Sequence, residues 1–348
     1  MSSSFQGMRV VHLPRNIAAD PQRTVEAERA LGASARLLTI DGSGVGNAPD
    51  EDLRLPNVNM LARHARRICR GVRAIRDADL VVFEYNSSAL DYPRLGLNLI
   101  DMRWARRSGA RISAVVFHGS DLRPLDPAWH DVYQQLGVDV NRTRKRLAIA
   151  RRSADLLYVK TPDLLHLVPE SRWLPQAVAV GKTCQSPVRE QGDVFIVAHA
   201  PTNQALKGTN ALIEACRSLR ARGVRVHLDL VEGVPHAEVL HRFAGADLVV
   251  DQLLVGWYGV TAIEAMALGK PVLCHIVKDL PELAGEKPPV ISARPESVER
   301  ILSDAIAGRI ELGALAAAGP AYVERVHAPE RVAARLLGDA ARLLGDRR

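Results

Sequence analysis

The feature that most constrains this chain of 348 residues is a regular alternation of short apolar runs with longer helix-like segments. In the first half, the apolar runs are RVVHLP, ARLLTI, DLVVFEY, ARISAVVFHG and DLLYVK. The pattern starts again with VFIVAHA and continues through VRVHLDLVEG, DLVVDQLL and PVLCHI. Strands that alternate with helices form parallel sheets covered by helices on both faces. The sequence therefore predicts two doubly wound, Rossmann-like α/β domains in series.

The predicted domains occupy residues 8–176 and 194–326, and a chain of this length can bury a core in each. The polar stretch 176–193 shows no clear period and predicts a linker, while 327–348 predicts a closing helix. Ligands of such sheets bind outside the carboxyl ends of the strands, so two domains that face each other would form a binding cleft there.

Composition excludes several classes of protein. Hydrophobic residues make up 47% and charged residues 24%, which is typical of a globular protein. The apolar runs are shorter than a membrane span, and the first residues, MSSSFQG, do not resemble a signal peptide, so we expect a cytoplasmic protein. The four cysteines form no C-x-x-C pair and indicate reduced thiols. No H-E-x-x-H or clustered His/Cys pattern occurs, so we expect no metal site.

The formal charge of +7 comes from the N-terminal half, most visibly from a predicted helix at 61–77 that carries six arginines. These arginines are either the solvated face of a core-packed helix or a surface for an anionic partner, such as the inner face of a membrane. A nucleic-acid partner is disfavoured, because aromatic residues make up only 4% and no nucleic-acid motif occurs.

The glycines of DGSGVGN (41–47) lack the G-x-G-x-x-G spacing, so they predict a loop and no nicotinamide cofactor.

The stretch GWYGVTAIEAMALGKPV (256–272) places one carboxylate, Glu264, in an otherwise apolar helix. Thr261 and Glu264 fit the T-x-x-E capping box, which would explain the glutamate by local structure alone. Capping leaves Gly256 and Gly259 unexplained, however. These glycines bracket the turn before the helix, where small residues let a ligand approach backbone amides and the helix dipole favours an anion. The sequence of this segment is compatible with both interpretations.

Two further strand ends carry polar residues. In HAPTNQALKGTNALIEA a strand ends at His199, and Lys207-Gly208-Thr209 is predicted to open a helix, where a lysine opposes the dipole unless an anion shares the site. In FHGSD, His118 follows a strand of the first domain. A cation, two helix N-termini and a carboxylate that accepts ribose hydroxyls would together bind a nucleotide diphosphate.

Two stretches of the second domain, HAPTNQALKGTNALIEA and GWYGVTAIEAMALGKPV, resemble the donor-binding half of the family 4 retaining glycosyltransferases. That family has the GT-B fold, in which two Rossmann-like domains face each other across a cleft. The resemblance is strong over 194–276, and VVHLPRN, FHGSD and VKTPDLLHLVPESRWLP extend it to the N-terminal half. The closing segment YVERVHAPERVAARLL is similar to the last helices of that family. This implies that residues 327–348 pack back on the N-terminal domain, which would bind the acceptor.

The resemblance assigns roles to individual residues. It implies that Glu264 binds the ribose, Lys207 the pyrophosphate and His118 the transferred sugar, and these three are the predicted catalytic residues. The predicted substrate-binding residues are those of the strand-end loops and of the aromatic turn: Asn16, Gly119, Asp121, His199, Asn203, Gly208, Gly256, Trp257, Tyr258, Gly259, Val260 and Thr261.

Two positions depart from the family pattern. The first glutamate of the family's E-x7-E motif is replaced by Gly256, and the usual arginine before the lysine is replaced by Pro201. Backbone amides from Trp257 to Val260 are expected to take over the contacts of the first, and His199 or Asn203 those of the second.

The implied activity is transfer of a sugar, with retention, from a nucleotide-diphosphate sugar, most simply a UDP- or GDP-sugar, without a metal or another cofactor. The acceptor is left open among a glycan, a lipid carrier and a small metabolite. Two alternatives on the same fold are a non-catalytic nucleotide-sugar-binding protein and a sugar-nucleotide epimerase.

Overall fold

The computed structural model describes residues 5–40, 49–53, 59–91, 98–105, 107, 109–179 and 194–346. The predicted loop at 41–47 and most of the predicted linker at 176–193 lie outside these ranges. The chain divides into two compact units: the first comprises Met1–Ala177 together with Pro329–Arg348, and the second comprises Val178–Ala328.

The described part of the first unit contains a sheet of seven parallel strands in the order β3-β2-β1-β4-β5-β6-β7. Its strands are β1 Arg9–Leu13, β2 Ser34–Thr39, β3 Glu51–Asp52, β4 Leu80–Glu84, β5 Ile112–Phe117, β6 Leu156–Val159 and β7 Arg172–Trp173. Its helices are α1 Asp20–Ala30, α2 Met60–Arg76, α3 Ile100–Trp104, α4 His130–Gln135, α5 Val140–Ser153 and the closing helix α13 Pro329–Asp346. The central strands are buried on both faces, which explains why they read as continuous apolar runs.

Helix α13 belongs to the first unit, although Val178–Ala328, which directly precede it in the sequence, form the second. It packs against α1, and Val332, Leu336 and Ala340 join Val10 and Val82 in one apolar core. The last turns of the Arg-rich helix α2 contribute Ala74 and Ile75 to the core on the other face of the sheet. No helix among the described residues is both long and apolar enough to cross a bilayer.

The described part of the second unit contains five parallel strands in the order β12-β11-β10-β8-β9. Its strands are β8 Phe195–His199, β9 Val226–Leu230, β10 Leu248–Val250, β11 Val272–Cys274 and β12 Ile291–Ser292. Its helices are α6 Gln204–Lys207, α7 Thr209–Ala221, α8 His236–Gly245, α9 Val260–Ala267, α10 Leu280–Ala284, α11 Val298–Ile306 and α12 Leu312–Val326.

Each sheet has a point at which the chain changes direction across it. In the first unit, β2 and β3 lie on one side of β1, and β4 to β7 lie on the other. In the second unit, β9 lies on one side of β8, and β10 to β12 lie on the other. Connections diverge at such a point and leave a crevice outside the carboxyl ends of the two central strands. The ends of β1 and β4, and of β8 and β10, are therefore where ligands should bind.

Helix α9, which carries Glu264, is held in place by a close approach of α12. A methyl group added at Gly319 of α12 would lie 2.7 Å from the carbonyl oxygen of Met266 and 3.1 Å from its Cα. The neighbouring atoms belong to the backbone of α9 and cannot rotate away. A glycine at position 319 is thus what allows the two helices to pack at this distance.

We expect Gly319→Ala to lower the free energy of unfolding by about 1–3 kcal/mol, because the new methyl group overpacks the α9–α12 contact. Gly313→Ala on the same helix is the matched control, since a methyl group there meets nothing within 4 Å. The control should be neutral or stabilising by up to about 1 kcal/mol, as alanine is the better helix former. Chemical denaturation measures both variants, and equal effects would show that the close contact does not matter.

Candidate functional site

Lys207 lies between two helix N-termini of the second unit. It is the last residue of the short helix α6, and Gly208, with φ of 75°, turns the chain into α7, which begins at Thr209. The helix predicted to open at Lys207-Gly208-Thr209 is therefore α7, with Gly208 as its N-cap and Lys207 just before it. A methyl group placed on Gly259, the N-cap of α9, would lie 3.3 Å from Lys207 Nζ. The backbone of Lys207 thus adjoins the start of α7, and its ammonium group lies close to the start of α9.

The Lys207 ammonium is paired with a carboxylate that the sequence did not single out. Its Nζ lies 2.8 Å from Asp251 Oδ1 and 2.7 Å from Gln252 Oε1. Asp251 follows β10 and is 1% exposed, while the side chain of Lys207 is 15% exposed. The second carboxylate oxygen of Asp251 accepts the backbone N–H of Gly259. Since an ammonium group has three N–H donors and two are used within the described part of the chain, one remains for a ligand.

The turn at 256–260 presents its backbone and buries its side chains. Trp257 and Tyr258 are both 1% exposed, and their ring centroids lie 4.8 Å apart. The Tyr258 hydroxyl lies 2.6 Å from the Tyr322 hydroxyl and 2.8 Å from His327 Nε2. The aromatic side chains therefore anchor the turn in the core and leave its backbone to meet a ligand.

A side chain at position 259 would crowd the ion pair of Lys207 and Asp251. A methyl group there would lie 3.1 Å from Asp251 Oδ2 as well as 3.3 Å from the Lys207 ammonium. Helix α9 begins at Val260 with Gly259 as its N-cap and no side-chain cap. The capping-box interpretation of Thr261 and Glu264 is therefore wrong, because the helix starts before Thr261.

Glu264 lies five residues beyond Gly259 on α9, which is about 7.5 Å along the helix axis. Its side chain is 12% exposed, and its Oε1 lies 2.9 Å from Nε2 of His236, the first residue of α8. The structure therefore brings Lys207, the glycine turn and Glu264 to one end of the second sheet. His236 is a neighbour of Glu264 that sequence reasoning missed.

His199 and Asn203 are occupied within the protein. His199 is buried, its Nδ1 lies 2.8 Å from the Val250 carbonyl oxygen, and its Nε2 lies 2.8 Å from the Thr209 hydroxyl. Burial lowers the pKa of His199, so the neutral ring donates from Nδ1 and accepts at Nε2. Asn203 caps α6 by accepting the backbone N–H of Leu206 at 3.0 Å. His199 therefore positions Thr209, and Asn203 caps the helix that ends at Lys207.

In the first unit, His118 is the end of a buried chain of four ionisable side chains, which we call the His118 network: Glu28, His12, Glu84 and His118. His118 Nε2 lies 2.7 Å from Glu84 Oε2, and Glu84 Oε1 lies 2.8 Å from His12 Nδ1. His12 Nε2 lies 3.2 Å from Glu28 Oε1. Each of these four side chains is at most 3% exposed.

The His118 network spans the point where the first sheet changes direction. His12 lies on β1, Glu84 ends β4, His118 follows β5, and Glu28 lies on α1. Sequence reasoning predicted His118 and missed the other three. The signal for two of them was one polar residue close to the carboxyl end of each apolar run, in VVHLP and in VVFEY.

Contacts between the members of the network determine their charges. Burial alone would lower the pKa of His12, but the adjacent Glu28 and Glu84 carboxylates raise it to about 10. Burial alone would raise the pKa of Glu84, but hydrogen bonds from His118 and His12 hold it well below its usual value. At neutral pH, His12 is therefore a cation and Glu84 an anion.

The remaining predicted residues of the first unit shape the turn around His118. Asp121 Oδ1 accepts the backbone N–H groups of His118 at 3.0 Å and of Gly119 at 2.8 Å. Gly119 has φ of 128°, and a methyl group there would lie 2.2 Å from Arg123 Nη1. Asn16 follows β1 and donates to a neighbouring glutamine at 3.2 Å.

Within the described ranges, no group of three His, Cys, Asp or Glu side chains could hold a metal ion.

No protein family and no curated protein sequence matches this chain. Solved structures do match it over nearly its whole length. Sucrose-phosphate synthase from Thermosynechococcus elongatus is 15% identical with a TM-score of 0.62, covering 98% of this chain and 100% of that one. The Anabaena protein HepE, in complex with UDP and glucose, is 14% identical with a TM-score of 0.60, covering 96% and 100%.

A glycosyltransferase from Rickettsia africae is 11% identical to this chain, with a TM-score of 0.63 and coverage of 97% of this chain and 99% of that one. At such identities, the likeness shows the fold. The prediction of a GT-B fold built from two parallel-sheet α/β domains is confirmed.

The charge of His12 makes the stability of the protein depend on pH. The folded pKa of about 10 lies above the unfolded value of 6.5, so the contribution is fully present below pH 6.5 and is lost as the pH rises through 10. We expect His12→Gln to lower the free energy of unfolding by about 3–5 kcal/mol at pH 6, because it leaves two buried carboxylates without their cation. The difference in the free energy of unfolding between the wild type and His12→Gln should decrease from pH 7 to pH 10.

Chemical denaturation across this pH range measures the gap. His166→Gln is the matched control, because the His166 side chain is 58% exposed in the same unit. This control should show little change in stability. A His12→Gln gap that stays constant between pH 7 and pH 10 would contradict the assigned charge.

Proposed function

We propose that this chain is a retaining glycosyltransferase of the family 4 type, which transfers a sugar from a nucleotide-diphosphate sugar to an acceptor without a metal ion. One observation carries the proposal: the Lys207 ammonium lies at the start of α9, and Glu264 lies in the second turn of the same helix. The names of the structural neighbours agree with it, since HepE is described in complexes with UDP and with UDP-glucose.

The diphosphate of the donor is assigned to the turn at Gly259. The first N–H groups of α9 have no partner within the helix, and the helix dipole favours negative charge at this end. Lys207 supplies its third N–H, and Gly259 supplies space, because a side chain there would meet Asp251 and Lys207. A short contact between phosphate oxygens and backbone amides is therefore available in the second unit.

Asp251 determines how strongly this site attracts an anion. Because Asp251 neutralises Lys207 in the free protein, the pair has no net charge. The donor is bound when a phosphate oxygen meets the remaining N–H of Lys207 together with the helix amides. The hydrogen bonds and the helix dipole then account for binding, and excess positive charge contributes little.

The nucleoside is assigned to Glu264. One carboxylate oxygen already lies 2.9 Å from His236 Nε2, and the other is available for the ribose hydroxyls. Hydrogen bonds to an ionised carboxylate are roughly twice as strong as neutral ones, so this contact would fix the nucleoside firmly. The second unit is thus the proposed donor-binding domain, and the first unit is the proposed acceptor-binding domain.

In the proposed reaction, the bond between the anomeric carbon and the phosphate oxygen breaks, and negative charge grows on the diphosphate. Lys207 and the α9 amides stabilise that charge, which is the main catalytic contribution. The acceptor oxygen bonds to the anomeric carbon on the same face, and its proton passes to the departing phosphate. On the resemblance of FHGSD to the family, His118 contacts the transferred sugar.

A panel of nucleotides tests the donor. UDP, GDP, ADP and TDP are compared by thermal shift and calorimetry, and we expect UDP or GDP to bind most tightly. The corresponding nucleotide sugars are then incubated with the protein, and slow hydrolysis or transfer is expected. Tight binding without turnover would identify a non-catalytic binder, and an epimerised sugar without an acceptor would identify an epimerase. Absence of binding by every nucleotide would contradict the proposal.

We expect substitution of Lys207 or Glu264 by alanine to lower turnover by at least about 100-fold. Lys207→Ala alone would leave Asp251 buried without its cation, so it is paired with Asp251→Asn to keep the fold. Lys287→Ala and Glu324→Ala are the matched controls, since both side chains are exposed in the second unit. Near-normal turnover in a folded Lys207→Ala/Asp251→Asn or Glu264→Ala protein would refute these roles.

A further inference from the structure

We propose that Glu84 is the positioning residue of His118: it holds the Nε2–H of the imidazole and leaves Nδ1 as the ring nitrogen that meets the ligand. The inference concerns the His118 network and rests on the proposed function only in taking His118 as the residue that contacts the sugar.

The direction of every hydrogen bond in the network follows from its chemistry. An ionised carboxylate only accepts hydrogen bonds, so each ring nitrogen that faces one must carry a proton. Glu84 accepts from His12 Nδ1 through Oε1 and from His118 Nε2 through Oε2. Glu28 accepts from the other nitrogen of His12. His12 is therefore protonated on both nitrogens, and His118 carries its proton on Nε2.

His12 is what keeps Glu84 in this role. A buried carboxylate without a cation would take up a proton, and a protonated carboxyl group could donate to His118 and reverse the hydrogen bond. His12 lies between two carboxylates, which hold it as a cation, and it in turn holds Glu84 as an anion. The pKa of His12, raised to about 10 by Glu28 and Glu84, agrees with this arrangement.

The other groups that face His118 do not compete for its ring. Asp121 uses one carboxylate oxygen for backbone N–H groups of the turn, at 2.8 Å and 3.0 Å. The ring of Tyr85 lies 6.2 Å from the His118 ring, and the Arg15 guanidinium lies 5.4 Å from the centre of the Tyr85 ring. Within the described residues, no hydrogen bond is formed by Nδ1 of His118. This nitrogen is therefore the one available to a ligand.

The position of the proton on His118 determines which hydrogen bond the ring forms with a sugar hydroxyl. With Nε2 held as a donor to Glu84, the neutral ring offers Nδ1 as an acceptor for a sugar hydroxyl. If the proton sat on Nδ1 instead, the same atom would donate, and the hydroxyl would have to present a lone pair. Glu84 thus selects which hydrogen-bonding pattern of the ligand is accepted.

Glu84→Gln tests the proposal, because a glutamine side chain has one acceptor oxygen and one donor nitrogen. The His12 cation is the stronger donor and takes the oxygen, so the new side-chain amide must donate to His118 Nε2. The proton of His118 then moves to Nδ1. Glu28→Gln is the control, because it changes the far end of the same network and leaves both oxygens of Glu84 in place.

Histidine-selective ¹⁵N NMR reads both ring nitrogens of His118, which is assigned by its loss in His118→Gln. In the wild type and in Glu28→Gln, we expect the neutral ring to carry its proton on Nε2, the nitrogen that faces Glu84. In Glu84→Gln, we expect the neutral ring to carry its proton on Nδ1. A wild-type His118 that keeps its proton on Nδ1 would overturn the proposal even if Glu84→Gln does not fold.

A kinetic measurement separates positioning from a purely structural role. In the donor-turnover assay, Glu84→Gln should lower kcat by about 10-fold or more while the Kd for the nucleotide alone stays within about twofold, because the nucleotide is assigned to the second unit. An unchanged kcat in a folded variant with the switched tautomer would overturn the role. The NMR result needs no nucleotide, so failure of the proposed donor would leave it intact.

Discussion

The arrangement of the second unit depends on one buried carboxylate, that of Asp251. It joins the Lys207 ammonium to the backbone N–H of Gly259, so it ties the end of α6 to the start of α9. Gln252 reinforces the same connection, because its side chain accepts from Lys207 and donates to the Trp257 carbonyl. A buried charge is costly unless it is paired and hydrogen-bonded, and Asp251 meets both conditions.

The first unit uses the same type of interaction at the corresponding place in its sheet. Glu84 ends β4 and joins His12 of β1 to His118 after β5. In both units, then, an ionised carboxylate next to a central strand holds a cationic or titratable side chain at the crevice. Such a network fixes geometry because removing one member leaves an uncompensated charge, and that cost favours a single arrangement over several.

The sequence predicted what depends on local pattern. The alternation of apolar runs and helices predicted two parallel sheets, and the strand-end position of His118 placed it at the mouth of the first. The partners of these residues depend on contacts far apart in sequence: Glu84 is 72 residues from His12, and Asp251 is 44 residues from Lys207. In the sequence, Glu84 and Asp251 are each a single acidic residue at the end of an apolar run. Nothing local shows which partner either residue has.

The capping box at Thr261 shows the opposite limit, a local pattern that tertiary structure overrides. Two residues earlier, Gly259 donates its N–H to Asp251, and the turn closes there, so α9 starts at Val260. Thr261 then lies inside the first turn, and Glu264 is released from capping and pairs with His236. The same contact that sets the start of the helix therefore also leaves its amides and its carboxylate available to a ligand. In this way, a structural ion pair and a binding site can share one set of residues, because the carboxylate that neutralises Lys207 also determines where the helix begins.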